Sequence, residues 1–122
     1  MSQTLSLHEL PYGLVELDNT GTVLYFNPEK RDGATPPLIG RNFFTDIKPI
    51  AEDATFQRHI KNFRQSSSPS QSFSFTFNFE DQLQHVRVLL ARIHEQTPDG
   101  GRDSVFVHIR KHSLRERPAA AV

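Results

Sequence analysis

The chain has 122 residues, with 14 basic and 14 acidic side chains, a formal net charge of zero and no cysteine. This length suits a single domain, and the neutral charge argues against sequence-blind nucleic-acid binding, which needs a basic face. The lack of cysteine excludes disulfides, thiolate metal sites and thioester-linked cofactors. No apolar run is long enough for a membrane span and no signal-peptide pattern opens the chain, so we expect a cytoplasmic protein.

The first part of the chain predicts a β-hairpin. Residues 14–17 and 22–26 have strand composition, and the Asp-Asn-Thr-Gly sequence at 18–21 has turn chemistry between them. Asn27 and Pro28 suit the N-cap and first position of a helix, so a short helix is expected to start there. Residues 1–9 are expected to form a flexible segment or a cap.

The middle of the chain predicts one helical turn at 43–47, ended by Pro49, and then the longest helix. Glu52 and Asp53 open that helix with the negative charge that a helix N-terminus favours. Its buried stripe, at positions i, i+4 and i+7, is formed by Phe56, Ile60 and Phe63.

Residues 72–80 show the strongest period-2 alternation, which predicts a half-buried strand with phenylalanines on one face. Two further strands are expected at 86–93 and 104–111, and residues 113–122 are expected to form a disordered tail. Two strands, a helical middle and three strands predict an α+β fold, with helices covering one face of a five-stranded sheet.

This layout resembles the PAS sensory domain, and most specifically the photoactive yellow protein family. The resemblance is carried by PYGLVELDNTG at 11–21, LYFN at 24–27 and the alternating phenylalanine strand. Its specific part is IGRNFF at 39–44, followed by DIKP at 46–49. The resemblance implies a PAS domain over residues 10–112, with an antiparallel sheet in the order 2-1-5-4-3.

The residues that hold the family's chromophore are replaced here. In the family, a cysteine carries a thioester-linked hydroxycinnamoyl group, and the matching position is Ile50. The family's Tyr and Glu at the chromophore phenolate match Phe26, which has no hydroxyl, and Lys30, which has the opposite charge. A side chain without sulfur cannot form the thioester, so we predict a PAS domain without this cofactor and without this photochemistry.

The resemblance also implies a pocket ringed by aromatic side chains, at the place of the family's chromophore. Its lining would be Phe26, Phe43, Phe44, Ile50, Phe56, Phe75 and Phe77. Either these side chains fill the space as ordinary core, or they leave a cavity for a small apolar ligand.

Two polar residues bear on that choice. Lys30 is either a solvated charge or an inward ammonium, which would need an anionic ligand or a neighbour such as Asp46. His59 lies at the edge of the helix stripe and is either a helix-edge histidine or the axial ligand that haem-binding PAS domains use. Haem is not expected, because the sequence offers no other sign of it.

The outer face of the sheet is expected to be partly apolar. If the buried side of its strands includes Val86, Val88 and Leu90, the residues between them point outward. The outward set is Leu89, Ala91, Ile93 and, on the last strand, Phe106. Such a patch is either covered by N-terminal leucines of the same chain or contacts a partner.

The sequence therefore favours a non-catalytic signalling module of bacterial type, acting as a protein–protein adaptor or homodimerisation domain. The alternative is a sensor that binds a small apolar or anionic ligand, or haem, in the aromatic pocket. An enzyme is not expected, because no glycine elbow surrounds a serine and no phosphate-cradling glycine motif is present. The expected partner is a second copy or another signalling protein.

Overall fold

The computed structural model describes residues 9–29 and 37–112. Its five strands form one antiparallel sheet in the order β2-β1-β5-β4-β3, which confirms the predicted order and the α+β class. The elements are β1 Gly13–Leu17, β2 Val23–Pro28, α1 Lys48–Ala51, α2 Ala54–Gln65, β3 Ser70–Phe79, β4 Gln82–Thr97 and β5 Gly100–Lys111. The predicted N-terminal cap up to residue 8, Lys30 and the tail at 113–122 lie outside the described residues.

The predicted helix start at Asn27 and Pro28 is wrong, because both residues belong to β2. The Glu29 amide donates to the Tyr12 carbonyl at 2.9 Å, so Tyr12 and Glu29 form a hydrogen-bonded pair of the ladder. Since such pairs alternate with non-hydrogen-bonded pairs, the next pair, Gly13 and Pro28, needs no backbone donor. Proline is therefore tolerated at the end of this edge strand.

The prediction that Pro49 ends a helical turn is also wrong. Residues 43–45 form hydrogen-bonded turns, but helix α1 begins at Lys48 and contains Pro49 in its first turn. Proline suits this place because the first amides of a helix have no intrahelical partner to lose. Pro49 thus lies at the start of a helix, where Pro49 and Ile50 are both buried.

Helix α2 follows the prediction closely. The Asp53 carboxylate caps its N-terminus by accepting from the Phe56 amide at 3.0 Å. At the other end, the Arg92 guanidinium of β4 donates to the carbonyls of Phe63 and Ser66 at 2.8 Å each, and it lies over the Phe63 ring. The helix is therefore held at both ends, with its apolar stripe directed at the sheet.

The core lies between the inner face of the sheet and the segments on that face. The predicted stripe residues of α2 are all 1% exposed or less, as is Val88 on the inner face of β4. The largest fully buried side chains outside that stripe include Phe43, Phe77, Leu17, Leu38, Ile47, Ile50 and Leu90. Across the described ranges, no helix is long and apolar enough to cross a membrane.

The Asn42 side chain joins the segment before α1 to the β1–β2 hairpin. Its Oδ1 accepts from the amides of Phe44 and Thr45 at 2.9 and 3.2 Å. Its Nδ2 donates to the Thr20 carbonyl at 3.3 Å. The backbone adds a bridge between Thr22 and Asn42, so this one residue ties two parts of the chain that are distant in sequence.

We expect Asn42→Ala to lower the free energy of unfolding by about 1–3 kcal/mol, because the part-buried Phe44 amide and the exposed Thr45 amide lose their acceptor. Urea denaturation followed by circular dichroism measures the change. The matched control is Thr45→Ala, which removes an exposed hydroxyl from the same turn and should leave stability nearly unchanged. Equal stability of Asn42→Ala and wild type would contradict this stabilising role of the Asn42 side chain.

Candidate functional site

An aromatic cluster occupies the contact between α2 and β3. Phe56 lies at its centre, with ring centroids 5.2 Å from Phe75, 4.8 Å from Phe77 and 6.4 Å from Phe73. Phe75 and Phe77 also meet each other edge to face at 4.9 Å. These tilted and T-shaped contacts are the arrangements that aromatic rings prefer in a packed interior.

The other predicted pocket residues are distributed around this cluster. Phe43 and Ile50 are fully buried in the same core, at 0% exposure each. Phe26 is only partly buried and lies on β2, at the opposite edge of the sheet from β3. The structure thus brings all of the predicted lining into or against one core, with four members fully buried and three partly buried.

Phe44 contacts that core but also faces a different cavity. It packs edge to face on Phe43 at 5.4 Å, and its ring lies against Gly21, where a Cβ would be only 2.7 Å from it. The cavity of about 380 Å³ beside Phe44 is lined further by Ala54, Gln57, Arg58, Ile60, Lys61 and Arg64. The cavity on the outside of α2 therefore combines three cationic side chains with the apolar side chains of Phe44, Ala54 and Ile60.

Arg64 ties this cationic surface to the hairpin. Its guanidinium donates to the carbonyls of Asp18 and Asn19 at 2.6 and 2.9 Å. Burial lowers the pKa of Arg64, and the Asp18 carboxylate opposes that shift. The side chain therefore serves as a structural clamp as well as a cavity wall.

His59 packs into the aromatic cluster from the helix edge. Its ring stacks on Phe73 with centroids 4.4 Å apart and planes 18° apart, and it meets the edge of Phe75 at 5.7 Å. These contacts match the helix-edge interpretation of His59. Within residues 9–29 and 37–112, no three His, Asp or Glu side chains form a group that could hold a metal ion.

The outer face of the sheet carries the second predicted site. Ala91 lies opposite Phe106, Leu89 opposite His108 and Ile93 opposite Ser104. Leu89 is 43% exposed, and the other predicted apolar members are partly exposed. The four predicted residues therefore lie on two adjacent strands and share one face.

Two members of this outer face were missed in the sequence. Leu14 of β1 lies opposite His108, and Tyr25 of β2 lies opposite Glu16, which in turn lies opposite Phe106. Tyr25 is 45% exposed. The alternation of β1 contained the signal, since burial of Val15 and Leu17 directs Leu14 and Glu16 outward. We call Leu14, Tyr25, Leu89, Ala91, Ile93 and Phe106 the outer patch.

Comparison with known proteins identifies the family. No family model matches the chain. The photoactive yellow protein of Cereibacter sphaeroides is 31% identical over 101 residues, which cover 80% of this chain and 78% of that protein. The photoactive yellow protein of Rhodothalassium salexigens is 29% identical over 89 residues, which cover 70% of this chain and 71% of that protein.

A solved structure shows the same fold. It is the crystal structure of the photoactive yellow protein domain from the sensor histidine kinase Ppr of Rhodospirillum centenum. The TM-score is 0.54 at 24% identity, over 84% of this chain and 92% of that one. The chain therefore belongs to the photoactive yellow protein family and has its PAS fold, which supports a role as a signalling or sensor module.

The residues present do not fit the family's hydroxycinnamoyl group. The chain has no cysteine, and the matched anchor position holds Ile50, which is fully buried in the core. Phe26 offers no hydroxyl to a phenolate. The cysteine anchor and the tyrosine hydroxyl that would contact the phenolate are thus both missing.

We expect that wild-type protein incubated with an activated hydroxycinnamic acid gains no thioester adduct, which hydroxylamine would cleave, and no blue absorbance band, because it offers no thiol. Mass spectrometry and absorbance spectroscopy measure both. The matched control is Ile50→Cys, which introduces a single thiol and should be acylated in denaturant. A stable adduct with a blue band on wild-type protein would contradict the prediction.

Proposed function

We propose that this chain is a non-photoactive PAS signalling module, spanning residues 10–112, that acts through protein–protein contact. The contact surface is the outer patch, and the partner is a second copy or another signalling protein. The partly exposed apolar row across β1, β5 and β4, with Leu89 43% exposed, is the observation that carries the proposal. A large apolar patch on a sheet face is costly to leave in water, so it is typical of an interface.

The surroundings of the outer patch indicate what kind of partner it would take. Arg87 of β4 lies opposite Arg110 of β5, next to the pair of Leu89 and His108. Both arginines are exposed on the same face. Like charges directly opposite each other on adjacent strands repel, so carboxylates of a partner would relieve the repulsion. The patch thus favours a partner with an apolar centre and an acidic rim.

The core does not depend on a cofactor in this proposal. The family resemblance puts Ile50 at the anchor position, and Ile50 is fully buried in the core. A signalling role that uses the outer surface therefore needs no light-absorbing group. Members of PAS families are generally sensor modules without catalytic activity, which agrees with the proposal.

A sensor of small anionic ligands is the second candidate. The cavity beside Phe44 favours it, because three cations, Arg58, Lys61 and Arg64, line an apolar floor. Such a lining suits a molecule with one apolar face and a carboxylate or phosphate. Native mass spectrometry of the purified protein would reveal a bound small molecule, and Lys61→Glu should then release it.

We expect Leu89→Arg and Phe106→Arg to abolish association through the outer patch while the domain stays folded. Each change places a charge at the centre of a surface that must lose water on binding. The matched control is Leu83→Arg, which alters an exposed leucine of the same strand, 62% exposed and beyond the outer patch.

Light scattering of the purified chains measures self-association, and pull-downs compare the partners kept by the control and lost by the two variants. Thermal unfolding by circular dichroism verifies the fold of each variant. A wild-type chain that stays monomeric at high concentration and retains no partner would contradict the proposal.

A further inference from the structure

β3 is the last strand of the sheet, and its backbone is paired only on the β4 side within the described part of the chain. The Arg92 amide donates to the Pro69 carbonyl at 2.9 Å, so these two residues form a hydrogen-bonded pair. The β3–β4 register then alternates without a shift from Ser70 to Phe79. Odd-numbered residues of β3 therefore bond to β4, and the even-numbered residues point their amides and carbonyls at the free edge.

The residues that present their backbone at this edge have small or uncharged side chains. They are Ser70, Ser72, Ser74, Thr76 and Asn78. The whole stretch 65–79 contains no charged residue, and β3 itself contains no proline. Natural edge strands avoid pairing with other chains through lysine, proline, bulges or shortness. This strand has ten residues and none of these protections.

The inner side of the same edge has apolar surface that is not fully covered. Phe77 is fully buried, but Phe73 and Phe75, nearer the start of β3, are only partly buried. On their own domain they contact Phe56 and His59. A further strand at this edge would cover the remaining surface of both rings.

We propose that β3 pairs antiparallel with β3 of a second copy, about a twofold axis at Ser74. Ser74 is the middle one of the five residues whose backbone groups point at the β3 edge. A twofold axis at Ser74 therefore gives the register in which all five residues pair with the other copy. Ser74 then meets Ser74 of the other copy, Ser72 meets Thr76, and Ser70 meets Asn78. A second copy fits because a strand without charge meets no repulsion when it pairs with itself.

The same register pairs the aromatic side chains on the inner face. Phe73 of one copy lies directly opposite Phe75 of the other, in a non-hydrogen-bonded pair, where side chains approach most closely. The two half-covered rings of each copy therefore cover one another. The product is a closed dimer with one continuous sheet of ten strands, because each copy has a single β3 edge to offer.

The first test compares Ser74→Pro with Ser74→Thr in the full chain by sedimentation equilibrium over a concentration series. Proline removes an amide that β4 does not use and blocks the edge, so the domain should fold while the dimer dissociation constant rises by at least about tenfold. Threonine keeps the amide and should keep the dimer. A wild-type chain that is monomeric, or a folded Ser74→Pro chain that dimerises as tightly as wild type, overturns the proposal.

A charge exchange tests the register and does not depend on how well the proline variant folds. Ser74→Lys and Ser74→Glu each place like charges directly opposite each other across the axis, so each variant alone should be monomeric at low salt. A mixture of the two should restore a one-to-one dimer. Asn78→Lys is the register control, because its charge faces Ser70 of the other copy, and its dimer should persist. A mixture that stays monomeric overturns the proposal.

These variants also separate edge pairing from the outer patch. Loss of the dimer in Ser74→Pro but not in Leu89→Arg supports pairing through the β3 edge. Self-association would then not use the outer patch. Loss in Leu89→Arg but not in Ser74→Pro overturns the edge pair and leaves the proposed function standing.

Discussion

The burial of α2 against a single face of the sheet is the constraint on which the rest of this structure depends. Phe56 supplies the central contact, with three phenylalanine rings of β3 within 6.4 Å of its own centroid. Asp53 and Arg92 hold the two ends of the helix in place. Because the helices among the described residues cover one face only, every strand divides its residues between a core side and an outer side, and the outer side receives Leu89 and Phe106.

The same packing bears on the position that matches the family's cofactor anchor. Ile50 stands there, has no sulfur that could form a thioester and is fully buried in the core. An isoleucine there contributes about 1.5–3 kcal/mol of burial where a cofactor would otherwise supply apolar contact. The interior at this position therefore gains stability from the burial of an apolar side chain.

Much of the fold could be predicted from the sequence because its signals are local and repetitive. The alternating phenylalanines indicate which side of β3 faces the core. The spacing of Phe56, Ile60 and Phe63 indicates the same for α2. The strand order came from the family resemblance, since long-range pairing leaves no local mark. The wrong predictions at Pro28 and Pro49 share one cause. A proline is compatible with several kinds of secondary structure, and tertiary contacts select among them.

The sites were harder to predict than the fold. Phe26 packs against the same core as the α2 aromatics, although β2 and β3 lie at opposite edges of the sheet. The alternation of β1 directs Leu14 outward, but only the register of β1 with β5 and of β2 with β1 joins Leu14 and Tyr25 to the outer patch. The β3 backbone groups that have no partner among the described residues could not be predicted either, since they follow from the β3–β4 register and the hydrogen bond between Arg92 and Pro69.

The two proposed surfaces are physically connected through the sheet. Ser72 on the edge strand lies directly opposite Leu89 of the outer patch, one strand away. Pairing through β3 would therefore set the outer patches of two copies side by side on one continuous sheet, facing the same way. A partner that carries two matching sites would then bind the second patch at high effective concentration, so edge pairing would strengthen partner binding without any new contact to the partner.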